Sequence, residues 1–192
     1  MTKSANHEVH DAPAAVRVPR PFLFLSPARL PVTTGASFAN DVRYLEAAAG
    51  QWVPVLVRSV VDHTIALQNK RAIERGNPQP ISMSVLNRRR RAARAWLLAV
   101  LAGKCDAETL NTVRTQWMPM LTGNGHEAAK ASRWSRSVIE FVRGAVTACI
   151  FDEPAADLLP HAKALHVLET VLAAHLATTL EPAANVPSVD AR

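Results

Sequence analysis

Arg88, Arg89, Arg90 and Arg91 are consecutive, and Arg94 follows within the same stretch, LNRRRRAARAWLLAVL at 86–101. Guanidinium groups are planar, permanently charged and able to donate two parallel hydrogen bonds. Clustered arginines therefore suit phosphates and carboxylates. Two partners fit that chemistry, a nucleic-acid backbone and an acidic protein surface; with no partner, the run is a solvated helix start whose Arg89 and Arg90 stems lie over apolar neighbours. The whole chain carries a net charge of +6, and these arginines supply five of the six excess charges. Charge concentrated in one segment points to a specific acidic partner more than to general polyelectrolyte binding.

Other residues could do chemistry singly. His63 shares a helical face with Leu56, Val60 and Leu67, where a haem or metal ligand could sit, or a hydrogen-bonded core histidine. Glu169 falls in the middle of the face formed by Leu158, Ala162, Leu165, Leu172, Leu176 and Leu180. A carboxylate there is costly without a partner, and Arg89 or Arg90 is its expected counter-ion. Cys105 stands beside Lys104 just before a helix start. Both features favour the thiolate, making it the candidate reactive thiol. Cys149 follows Val138, Val142 and Ala145 on one face and reads as core.

Several chemistries are not supported. His166 and His175 project about 180° apart on a straight helix and cannot share a metal, and His161 reads as solvated. No His, Cys, Asp or Glu set has metal-ligand spacing, so no metal is expected, and two cysteines imply no disulfide framework. Gly123-Asn124-Gly125 precedes a helix but lacks the Lys-Ser/Thr of a phosphate-binding loop, and reads as a connecting turn. No nucleophile, base and orienting group can be assembled. The expectation is a non-enzymatic protein.

The elements that position these residues are helical. Alanine, leucine and arginine dominate between 36 and 181, and bounded alternating strands are missing. Six helices are expected in a single all-α bundle. They run from Ser37 to Ala49, from Gln51 to Gly76 with Pro54 in the first turn, and from a Ser82 or Ser84 cap to Gly103. The fourth runs from an Asp106 cap to just before Pro119. The fifth runs from Asn124 or Gly125 to Ile150, with Glu127 in its first turn, and the last from an Asp152 or Asp157 cap to Leu180. QWVPVL at 51–56 returns as QWMPML at 116–121, but the flanks do not keep step, so coincidence is the better explanation. Trp52, Trp96 and Trp134 lie on or beside apolar faces. Residues 1–35 contain five prolines, an apolar knot at Phe22–Leu25 and the basic Lys3, Arg17, Arg20 and Arg29. They read as an extended arm, and 182–192 as a disordered tail. No signal-peptide core and no apolar run of about 18–20 residues occurs, so a soluble cytoplasmic protein without membrane contact is expected.

Helical geometry separates the partners. With Leu86 as origin, Ala93, Leu97, Val100 and Leu101 fall within about 60° of it, and Trp96 about 80° away. Arg88 and Arg91 point to the opposite side, Arg89 and Arg90 flank this stripe, and Arg94 lies at its border. A groove-reading helix needs a single basic face with polar companions. Only Asn87 accompanies the arginines, and the following helix sets Arg114 against Asp106 and Glu108. The leading expectation is a regulatory or adaptor protein, homodimeric, that binds an acidic protein surface through its helices. The alternative is a nucleic-acid-binding regulator using Arg88–Arg94. In layout alone the bundle resembles globin-like sensor domains of bacterial signalling proteins. That resemblance implies a haem or small-ligand sensor centred on His63 as a further alternative.

Overall fold

Leu45, Trp52, Val53, Leu56 and Val60 are related by steps of three, four and seven residues, the spacing that gathers side chains on one helical face. In the computed structural model, which describes residues 36–74, 76, 80–123, 128–152 and 159–180, all five are buried. They lie on one helix of 39 residues, α1 (Ala36–Glu74). The two helices expected at Ser37–Ala49 and Gln51–Gly76 are thus continuous. Pro54 sits mid-helix, where its ring opposes the carbonyl of Gly50, four residues back. Both Gly50 and Pro54 are on the solvent side, so water can satisfy the freed carbonyl. Burial of the flanking apolar residues outweighs the cost of the interruption.

A turn containing Gly76 and the loop around Pro80 lead into α2 (Met83–Leu101). Ser82 is its cap, accepting from the Val85 amide at 3.4 Å. At the other end Lys104 N–H donates to Ala99 O and Gly103 N–H to Val100 O, the paired bonds of a Schellman motif. Gly103 takes φ 65° there, with its Cα pressed toward Val42 of α1.

Asp106 caps α3 (Ala107–Thr112), accepting from the Thr109 amide at 2.8 Å. The helix does not stop before Pro119. It widens into a π turn (Val113–Trp117), in which Met118 N–H reaches back to Val113 O, and continues as α4 (Met118–Thr122). The wide turn passes the proline because the ring no longer displaces a required i→i−4 bond. α5 (Ala128–Asp152) and α6 (Leu159–Leu180) complete the order. With α3 and α4 joined, the described residues form five helical rods where six are expected.

α1 packs most extensively on α2, α5 packs on α6, and α1 also touches both α5 and α6. The core between them contains Leu45, Trp96, Leu97, Leu101, Ile139, Leu168 and Leu172. α6 turns Ala164, Val167, Leu168, Val171, Leu172 and His175 inward. The face expected around Glu169 is therefore wrong: Glu169 is exposed. This helix is apolar on more than one side, and its valines and small alanine fit the bundle better than its outer leucines. His161, expected in solvent, is buried in contact with the edges of Tyr44 and Phe151. Among the described residues no helix is long and apolar enough to cross a membrane. The 1–35 arm with its Phe22–Leu25 knot, the 182–192 tail, and the caps expected at Asn124, Gly125 and Asp157 lie outside the described residues.

Candidate functional site

The core of α2 is centred on its largest side chain, Trp96, so the buried stripe is rotated by roughly 50° from the one expected around Leu86. Arg89 moves under cover and Arg90 moves out. Arg88, Arg90, Arg91 and Arg94 are all exposed, and no ion pair joins them to another described residue. On the helix they cover an arc of about 160°. They form a collar around the first half of the outer face.

Arg89 differs from its neighbours. It is only 3 % exposed. Its Nη2 donates to Gln68 Oε1 of α1, while Nε and Nη1 are buried without an acceptor among the described residues. Gly123, the residue that ends α4, lies close to Nη2, since a Cβ built there would be 3.6 Å away. Burial draws the guanidinium pKa below its ordinary value. Glu169 is not its counter-ion. Glu169 meets Arg143 of α5 at 3.1 Å, and Arg143 also holds Glu140 at 2.7 Å. That pairing follows from the outward face of α6.

The best-formed polar connection in the core involves a residue excluded only as half of a metal pair. Trp96 Nε1–H donates to His175 Nδ1 at 3.1 Å, and His175 Nε2 lies 2.9 Å from Lys104 O. An indole is only a donor, so Nδ1 must accept and Nε2 must carry the proton. The imidazole is thereby fixed neutral, and burial lowers its pKa. His175 ties α6 to both the middle and the end of α2. The sequence signal is Trp96 on an apolar helical face, because a buried tryptophan requires an acceptor.

His63 stacks on Phe141 with centroids 4.3 Å apart, and its Nε2 lies 3.2 Å from Ser137 Oγ. Burial lowers its pKa, with the hydrogen bond at Ser137 opposing. One ring face and one nitrogen are thus engaged by protein. No group of three His, Cys, Asp or Glu residues among those described could hold a metal. Cys105 is half-buried, and burial pushes its thiol pKa up, with Asp106 adding to the rise. The activation expected from Lys104 is therefore reversed. Cys149 is likewise half-buried and packed against the core.

Beyond the arginine collar, the outer face of α2 becomes apolar. Ala95, Leu98, Ala99 and Ala102, with Ala49 of α1 and Trp117 of the π turn, line a groove of about 550 Å³ to which Glu46, Lys104 and Thr109 add polar groups. Leu98 is 44 % exposed. The groove was not visible in the sequence, because Ala49 and Trp117 reach it only through tertiary packing. No protein-family model, curated protein or solved structure matches the chain.

Proposed function

We propose that the protein is a non-enzymatic regulatory or adaptor module that binds an acidic protein through the outer face of α2. The observation behind this reading is the collar itself. Arg88, Arg90, Arg91 and Arg94 are exposed and unpaired among the described residues, although intramolecular pairing would have been the simplest use for them. Their fan suits carboxylates arriving from several directions. A DNA groove asks instead for one basic face backed by a second basic element, and α3 begins with Asp106 and Glu108.

Titration with a labelled acidic helical peptide, beside random-sequence duplex DNA at two salt concentrations, tests this. Peptide binding that weakens in Arg88→Ala/Arg91→Ala/Arg94→Ala, with no duplex binding at physiological salt, is the expected result. Micromolar duplex binding that falls steeply with salt and is lost in the triple variant would replace this reading with the nucleic-acid one.

A further inference from the structure

We infer that the occupant of this face is an amphipathic α-helix of another protein, acidic where it meets Arg88 and Arg91 and apolar where it covers the groove. The inference rests on the acidic-partner reading and adds the shape and composition of the partner. Residues 88, 91, 95, 98 and 102 are separated by three, four, three and four positions. That is the a/d spacing of a helix–helix seam, and it keeps these residues in line for two heptads, about 21 Å. Arg88 and Arg91 begin the line. Ala95, Leu98 and Ala102 continue it as lining of the groove, and Trp117 forms a wall. Small side chains beside an exposed leucine leave room for large apolar knobs from a facing helix.

Charge decides against two other occupants. A second copy pairing in parallel would set Arg88 on Arg88 and Arg91 on Arg91. An antiparallel copy would lay both over Ala102 and Leu98, where Glu46 is the one carboxylate among the groove's lining residues, a single acid for two guanidiniums. A nucleic-acid backbone would satisfy the arginines but offers nothing apolar to the groove. A helix with acidic residues at one end of its seam and leucines at the other satisfies both halves.

The test uses the full chain and two labelled 21-residue helical peptides. Both place Glu at the first two seam positions; one has Leu at the remaining seam positions, the other Ser. The Leu peptide is expected to bind at least about 10-fold more tightly, a difference worth about 1.4 kcal/mol. Leu98→Asp and, independently, Ala95→Gln should abolish that advantage and leave the Ser peptide unaffected. Both positions are at least partly exposed, and circular dichroism confirms the fold of each variant. Arg88→Gln/Arg91→Gln should weaken both peptides. Equal affinity for the two peptides, or a Leu advantage that survives in both groove variants, overturns the helix inference while leaving the acidic-partner reading intact. Peptide binding unaffected by the arginine pair, or no binding by either peptide at low salt, overturns both. Self-association lost on Leu98→Asp would assign the face to a second copy and overturn the inference.

Discussion

At the scale of single residues, the two least exposed ionisable groups on α2 and α6 behave in opposite ways. His175 is bonded on both nitrogens, whereas Arg89 has Gln68 as its one hydrogen-bond partner among the described residues. A buried charge without a counter-charge is costly, and apolar side chains of similar volume commonly replace one with gain. Arg89→Met is therefore expected to raise stability by about 1–3 kcal/mol in urea unfolding, and a loss of that size would reveal a hidden partner. Glu169→Ala should change stability by less than about 1 kcal/mol, because its bridge to Arg143 is half in water, with Glu169 50 % exposed. The histidines set a pH dependence. His175 and His63 both titrate below the ordinary 6.5 when folded, so the unfolded chain binds more protons in that interval. Their stabilisation is complete above about pH 6.5 and is lost as pH falls through the folded values. The urea midpoint should drop on acidification, with a shallower slope in His175→Gln and shallower still when His63→Gln is added. A slope unchanged in both variants would contradict the assignment. Sequence spacing located the arginine cluster but could not say which arginine is buried, since a rotation of half a residue's arc exchanges Arg89 for Arg90.

At the scale of elements, local chemistry was legible where it is self-contained. Ser82 and Asp106 cap the helices their side chains predict, and Gly103 lies just past the end of α2. Pro54 and Pro119 lie inside helical segments, not at the expected helix limits, for the converse reason. Whether a helix survives a proline depends on where the orphaned carbonyl points and on what packs alongside, neither of which is local. Trp52 and Trp117 in the repeated QW-P-L hexapeptides show the difference, one buried in a continuous α-helix and the other half-buried in a π turn. Gly103 gives the sharpest prediction at this scale. An alanine there must hold φ near 65° and would place its Cβ 2.6 Å from Val42 Cγ2. Gly103→Ala should cost about 2–4 kcal/mol, from backbone strain and overpacking together. Thermal unfolding measures it, and an unchanged midpoint would mean that the α2 terminus can move away from α1.

For the molecule as a whole, the all-α class and the single apolar interior followed from composition and helical period. The assignment of faces did not, because α6 could have buried either of two apolar sides. Stability should be distributed accordingly. α2 from Ala92 to Leu101 and α6 from Ala164 to Leu172 carry most of their length in the core, whereas α3 buries no side chain. Amide hydrogen exchange should find the first two segments most protected and α3 least; comparable protection throughout would indicate one opening unit. The contact between α1 and α6 has a consequence for synthesis. The whole segment between α1 and α6 must be translated before α6 begins to appear, and all of α6 before the apolar side of α1 is fully covered. At roughly 5–20 residues per second, the interval between the end of α1 and the end of α6 is about 5–20 s. During that interval α1 has α2 to pack against but not α6, so the side of α1 that meets α6 is the last of its contacts to be covered.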